Sequence, residues 1–242
     1  MPTLSIVIPA FNEEPRLGKT LTGIRQAFLG KLLSDIQLTQ IIVADDGSRD
    51  GTVQVAESFA SSLPIIVISL AKNQGKGAAV RAGMKQITGD FALIYDADGA
   101  APIEQLPKLF TAMTDQHADI AIGSRVLGRS QGIVTMRWYR RFIGRTYHAL
   151  CSFLVPGIYD TACGCKLFKH EAAMTLFRLQ TIDRFSFDVE VLAMALRRGY
   201  KIAEVPLQWA AIPESKVRLI RDGLQMFWSL LMLYGRRMVG RV

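Results

Sequence analysis

The chain has 242 residues, 50% hydrophobic and 21% charged, a balance that excludes disorder as its main state and suits one large domain better than two independent cores. Mean hydropathy is +0.21, yet no uninterrupted apolar run approaches the ~18–20 residues that span a bilayer. Twenty-nine basic against twenty-one acidic residues give a formal charge of +8, which admits nucleic acid, anionic lipid or phosphorylated substrates as partners.

In chain order, Leu4–Pro9 reads as a β-strand and Glu14–Phe28 as a helix. Gln40–Ala44 is a strand ending in Asp45-Asp46-Gly47-Ser48, and Thr52–Ser61 is the next helix. Pro64–Ser69 and Phe91–Tyr95 are strands separated by a helix over Gly77–Ile87; Pro102–Asp115 is helical and Asp119–Gly123 a fifth strand. Strands this apolar on both faces, alternating with helices, predict an α/β fold, a mainly parallel sheet covered on both sides. Such sheets bind ligands beyond the carboxyl ends of their strands. There the polar residues gather, as Asn12-Glu13, Asp45-Asp46 and Asp96-Ala97-Asp98.

The second half is less regular. Met136–Val155 reads as a long basic, apolar helix, Glu171–Leu179 and Phe187–Arg197 as shorter ones, and Ile202–Val205 and Leu207–Trp209 as strands. After Pro213 an amphipathic helix is expected from Val217 to Arg237. The expected organisation is one domain over residues 1–212 and a basic amphipathic helical tail over 213–242. Met1-Pro2-Thr3 runs into the first strand without a basic leader, and Cys151, Cys163 and Cys165 lack the spacing of a disulfide framework or zinc site. Together these point to the cytosol.

Charge is unevenly spread. From Ala121 to Tyr159 there is no Asp or Glu, while Arg125, Arg129, Arg137, Arg140, Arg141 and Arg145 all occur; a second basic segment holds Lys216, Arg218, Arg221, Arg236, Arg237 and Arg241. Basic segments beside apolar helices favour an anionic, greasy partner over a merely solvated face. Nucleic acid is disfavoured, because no recognised binding motif accompanies the charge.

The first strand-to-helix turn, Pro9 to Pro15, contains no glycine, which argues against a dinucleotide fold of the GxGxxG type. Asn73-Gln74-Gly75-Lys76-Gly77 has the wrong spacing for a Walker loop. Asp96-Ala97-Asp98 is more informative: two carboxylates just past a buried strand can converge on a hard divalent cation carried by a diphosphate, which needs only one or two protein carboxylates. The Asp-Asp-Gly-Ser turn has a plainer reading as well, a cap for the following helix through Ser48 or Asp50.

The order and spacing of PAFNEE, VADDGSRDGT, NQGKGAAVRAGM, DADGA, GSR, DTACGCKLF, RFSFDVE and PESKV resemble dolichyl-phosphate β-glucosyltransferases and related polyprenyl-phosphate glycosyltransferases, family 2 inverting enzymes of the GT-A fold. The resemblance spans Leu4 to Leu233. Cys165 stands where the family usually has phenylalanine, and Phe11 and Phe185 where many members have tyrosine or tryptophan. The resemblance implies glucose transfer from UDP-glucose to a polyprenyl (dolichyl or undecaprenyl) phosphate. GDP-mannose or a UDP-N-acetylhexosamine is an alternative donor, and a non-enzymatic membrane-surface module is the alternative of a different class. It implies Mg²⁺ or Mn²⁺ as cofactor, and a cytoplasmic protein held peripherally on an anionic membrane surface.

The same resemblance assigns roles. Pro9, Phe11 and Glu13 are expected around uracil, with Asp46 accepting from the ring N–H and Asp45 turned inward or paired locally. Lys76 is expected near the nucleotide, opposing phosphate or holding a carboxylate. Asp96 is expected at the ribose or the metal's water shell, and Asp98 on the metal. Arg125, Arg140, Arg145 and Lys216 are candidates for the acceptor phosphate. Asp188, Glu190 and Asp160 lie where a general base is considered. Asp188 and Glu190, two residues apart on a helix, project differently. Asp188 is therefore the candidate for the site, and Asp160 the organiser of the arginines. The apolar face around Phe227 and Trp228 is expected either in a membrane interface or against the domain or a partner subunit.

Overall fold

The computed structural model describes residues 1–30, 32–130, 147–209 and 219–238. Seven strands form one sheet: β1 (Thr3–Ala10), β2 (Gln37–Asp45), β3 (Ile65–Ser69), β4 (Phe91–Tyr95), β5 (Ile120–Ser124), β6 (Cys165–Lys169) and β7 (Ile202–Pro206), in the order β3-β2-β1-β4-β6-β5-β7. All adjacent pairs run parallel except those of β6, which is antiparallel to both β4 and β5. The helices are α1 (Glu14–Leu29), α2 (Thr52–Ser58), α3 (Lys76–Met84), α4 (Leu106–Asp115), α5 (Arg125–Ser130), α6 (His170–Leu179), α7 (Phe187–Arg197) and α8 (Leu219–Met238).

Alternation along each strand sends side chains to two separate cores. Ile6, Ile8, Ile41, Val43, Leu93 and Leu167 meet Leu17, Leu21 and Ile24 of α1 and Leu109 of α4 on one face. Val7, Ile42, Ile94 and Phe168 meet Val80 and Met84 of α3, Leu176 of α6 and Leu192 of α7 on the other. This is the arrangement expected from strands without a polar face.

Several sequence expectations need correction. Leu207–Trp209 is irregular chain, not a strand; Leu207 is buried and its amide donates to Ser124 O at the end of β5. The third helix ends at Met84, before Ile87. Of the helix expected over Met136–Val155, residues 136–146 lie outside the described residues and helical structure ends at 151. Strand β6 and the short α5 were not anticipated.

β6 matters for function because its direction is reversed. Tyr95, the last residue of β4, pairs with Cys165, the first of β6. The segment leading into β6, Asp160 to Gly164, therefore arrives where β4 and β5 finish. α8 joins the same body: Leu230 and Leu233 are buried in the second core, each worth ~1.5–3 kcal/mol of burial.

Candidate active site

The loops after β1, β2 and β3 are knitted together. The Asn12 amide donates to Ser48 Oγ and the Arg49 amide to Asn12 Oδ1. Asp45 is buried and accepts from the Ser48 amide, closing the turn locally. Asp46 is buried too. Its carboxylate accepts from Asn73 Nδ2 at 2.8 Å, the Gln74 amide at 2.7 Å and the Gly75 amide at 2.8 Å. Burial nevertheless raises its pKa, only partly offset by those amides and Arg184. Pro9 is buried, and Phe11 and Glu13 are half-buried at the mouth of this region. Both Glu13 oxygens accept from Arg16, at 2.7 and 2.6 Å. Asp50 accepts from the Thr52 and Glu14 amides at the start of the neighbouring helices.

Glycines flanking Lys76 permit close backbone approach. Gly75 has φ +121, and a Cβ there would lie 2.6 Å from Asp183 O; on Gly77 it would lie 2.3 Å from Ile182 O. The segment before α7 thus presses directly on the start of α3, and Lys76 is pointed across to β4.

There Lys76 Nζ donates to Asp96 Oδ1 at 2.6 Å. Burial lowers the Lys76 pKa, but Asp96, Asp188 and Asp98 reverse this and hold it above the usual value. Burial likewise raises Asp96, and Lys76, Lys166 and Arg125 outweigh it, leaving the carboxylate below its ordinary range. Asp98 goes the other way: burial and then the Asp96 charge push it up. Among the described residues its carboxylate accepts one hydrogen bond, from the Ala100 amide. A half-buried carboxylate strained by a second one two residues away fits a hard cation whose remaining ligands come from phosphate. No cluster of three or more metal-ligating side chains occurs among the described residues.

Beside it, Asp160 accepts from the Arg125 amide, Nε and Nη2 at 2.9, 2.7 and 2.7 Å, the bidentate pairing typical of guanidinium and carboxylate. The Arg125 guanidinium lies 5.2 Å from the centre of the Trp209 ring. Burial raises Asp160 but Arg125 holds it below the ordinary carboxylate range. Glu204 of β7 accepts from the Tyr159 and Asp160 amides, fixing the segment. Arg140, Arg145 and Lys216, with Arg137 and Arg141, lie outside the described residues.

Asp188 and Glu190 do diverge. Asp188 accepts from Lys166 Nζ at 2.6 Å, whereas Glu190 turns to the other side and meets Thr181, Ile182 and Arg236. Lys166, only 2% exposed, also donates to Cys163 O. Three cation–carboxylate pairs, Lys76–Asp96, Arg125–Asp160 and Lys166–Asp188, therefore gather at the carboxyl end of the sheet within electrostatic reach of one another.

Lys166 and Trp209 were missed by sequence reasoning. Lys166 stood in the quoted DTACGCKLF segment, and reading CKLFK as an alternating strand would have placed its ammonium on the face of α3 and α7. Trp209 had been assigned to a strand that does not form, so its ring had no reason to be near Arg125.

Residues 5–177 match the family model "Glycosyl transferase family 2". A dolichyl-phosphate beta-glucosyltransferase of Mus musculus is 37% identical over 98% of this chain and 76% of its own length. One of Saccharomyces cerevisiae is 32% identical over 95% and 73%. Among solved structures, glucosyl-3-phosphoglycerate synthase from Mycobacterium tuberculosis with Mn²⁺, UDP and phosphoglyceric acid superposes with a TM-score of 0.71 at 22% identity, covering 96% of this chain and 78% of that one. The sheet and its flanking helices are those of the GT-A fold.

Proposed function

The chain belongs to glycosyl transferase family 2, and from that premise we propose that it transfers glucose from UDP-glucose to a polyprenyl phosphate, dolichyl or undecaprenyl, with inversion at the anomeric carbon. The observation that carries this reading is the juxtaposition of Lys76–Asp96, which joins the loop held by Asp46 to the end of β4, with Arg125–Asp160 at the end of β5, close enough that Arg125 also acts on Asp96. The first pair serves a diphosphate; the second offers a cation to another phosphate. Similarity to dolichyl-phosphate beta-glucosyltransferases supports the choice of sugar and acceptor.

In this reading the uridine lies against Pro9, Phe11 and Glu13 with Asp46 beside it. A phosphate oxygen of the acceptor attacks C1 of glucose, the C1–O bond to UDP breaks, and the electron pair leaves on the diphosphate. Asp98, with Asp96 beside it, would hold Mg²⁺ or Mn²⁺, whose chemistry is to neutralise charge on the leaving diphosphate. Lys76 contributes a fixed positive charge to the same oxygens. Arg125, oriented by Asp160 and flanked by Trp209, receives the acceptor phosphate; Arg140, Arg145 and Lys216 are proposed to complete its cradle. A phosphate monoester has a second pKa near 6, so the nucleophile arrives already ionised. Asp188, tied to Lys166, serves to set the field in the cleft rather than to take a proton.

The acceptor's tail needs an apolar surface. α8 presents Leu224, Phe227, Trp228 and Leu231 to solvent, and Phe153 is exposed beside them, its ring stacked on Tyr234. No helix among the described residues is long and apolar enough to cross a membrane. We place this face in the interface of an anionic membrane, on its cytoplasmic side, where aromatic and basic residues are favoured.

The test is incubation of the purified protein with labelled UDP-glucose, GDP-mannose and UDP-N-acetylglucosamine, each with dolichyl or undecaprenyl phosphate and Mg²⁺ or Mn²⁺. Label is expected in the extracted lipid with UDP-glucose. Transfer only from another donor would replace the sugar, and no transfer from any donor would defeat the enzymatic reading.

A further inference from the structure

Glu190 has no role in the chemistry just described, yet it is 1% exposed and fully engaged. Its carboxylate accepts from the Thr181 amide at 2.9 Å, Thr181 Oγ1 at 2.6 Å, the Ile182 amide at 2.8 Å and Arg236 Nη1 at 2.9 Å. Arg236 Nη1 also donates to Thr181 Oγ1 at 2.6 Å. A carboxylate taken out of water in the first turn of α7 is thereby fastened both to the loop before that helix and to the far end of α8.

That loop is the wall of the donor region. Ile182 O and Asp183 O lie against Gly77 and Gly75, so closely that neither glycine could carry a Cβ without displacing them. Asp183 O accepts from the Ala78 amide at 2.9 Å, and the Asp183 side chain pairs with Arg81 of α3. One residue away, the Gly75 amide donates to Asp46 and Lys76 reaches Asp96. A continuous chain of hydrogen bonds and hard backbone contacts thus runs from Arg236 through Glu190, Thr181 and Ile182 to the turn carrying Lys76.

We propose that Arg236 and Glu190 form a clasp that positions the Gly75–Ala78 turn for the nucleoside diphosphate, so that the carboxyl-terminal helix sets donor affinity from outside the cleft. Both are positioning residues: neither touches the substrate. The proposal rests on the donor reading of the cleft given above. Coupling of this kind needs a physically contiguous path and a measured interaction, and the path is the one just traced.

The test uses the full chain, with UDP plus Mn²⁺ as the probe, in wild type, Arg236→Gln, Glu190→Gln, the double variant and Arg236→Lys. Calorimetry well below each unfolding midpoint is expected to show UDP affinity weakened about five- to tenfold by Arg236→Gln, at the low end of coupled sites. Arg236→Lys should recover most of the loss, and the double variant should be no worse than the poorer single one. Hydrogen exchange without nucleotide supplies the second readout. The Gly75 and Ala78 amides are expected to exchange faster in Arg236→Gln while β1 and β2 stay protected. UDP affinity within twofold of wild type, or a rise in exchange shared equally by all strands, would overturn the clasp and leave a merely structural contact. If wild type itself binds no UDP, the donor reading falls, and the exchange arm still decides whether Arg236 orders the turn. Should Arg236→Gln not fold, Glu190→Gln, which weakens the same contact from the other side, decides by the same two readouts, wild-type values in both overturning the clasp.

Discussion

A Cβ on Gly164 would stand 1.8 Å from Asp96 Oδ2. The two residues also share a backbone bond, the Asp96 amide donating to Gly164 O, so the reversed strand β6 and the end of β4 are fitted against each other at the carboxylate itself. The glycine of DTACGCK is therefore a seat for Asp96. Gly164→Ala must swing that carboxylate away from Lys76, or push the two strand ends apart. Transfer is expected to fall by about 100-fold or more, the scale of losing a preorganised electrostatic group, with the fold retained by circular dichroism. Asp96→Asn should be less damaging to β6 yet comparable in activity.

Lys76 is the cation on that carboxylate. Replacing it by methionine keeps an unbranched apolar stem and deletes the charge. Asp96 then loses its partner while Asp98 remains close by, and the diphosphate loses a positive neighbour. Steady-state kinetics should show kcat reduced about 100-fold, with the KM for the lipid phosphate changed by less than about threefold, because the acceptor is assigned to Arg125. Equal losses toward both substrates would merge the two halves of the cleft into one electrostatic unit.

Asp160 gives a pH dependence with a definite sign. Its folded-state pKa is depressed by Arg125, so its contribution to stability is present above the unfolded carboxylate value of about 3.9 and is lost as pH falls through the lower folded value. Breaking a buried pair costs about 3–5 kcal/mol; Arg125 keeps 26% exposure, which reduces the expectation for Asp160→Asn to about 2–3 kcal/mol. Thermal melts at pH 7 should drop by roughly 5–10 °C. The gap to wild type should close as pH falls below about 4. A constant gap down to pH 2 would assign the loss to packing.

Sequence reasoning reached the parallel part of the sheet and every strand-end carboxylate, because β-branched runs and polar turns report locally on a two-sided sheet. It failed where direction and pairing are set by distant partners. Cys165–Lys169 sets a buried lysine among apolar residues and lies between segments read as helices, Met136–Val155 and Glu171–Leu179; only its insertion between β4 and β5 makes it a strand. Lys166 was hidden for the same reason, since a lysine inside a strand is tolerable only when a carboxylate from another element, here Asp188, meets it. Asp45 and Asp46 are neighbours with different fates, one closing its own turn and one gripping residues 73–75, and nothing within the turn distinguishes them. Of the two alternatives left open in the sequence for α8, packing against the domain describes Leu230 and Leu233, while Phe227 and Trp228 face solvent.

That division can be measured. Leu233 is fully buried, whereas Phe227 and Trp228 keep 44% and 63% exposure, although all three occupy one helix within seven residues. Truncating Leu233 to alanine removes packed methyl groups from the second core and should cost about 2–4 kcal/mol in denaturant unfolding. Phe227→Ser with Trp228→Ser removes only solvent-facing rings, so stability in buffer should change by less than about 1 kcal/mol. If those rings enter a lipid interface, the same double change loses roughly the transfer free energy of two aromatic side chains. Sedimentation with vesicles of mixed neutral and anionic lipid should then show binding weakened by at least about tenfold. Transfer to a short, water-soluble polyprenyl phosphate should persist while transfer to long-chain acceptor in vesicles declines, because the soluble acceptor needs no membrane contact. Unchanged vesicle binding together with a large loss of stability would show that the rings pack against protein, and the membrane assignment of α8 would be withdrawn.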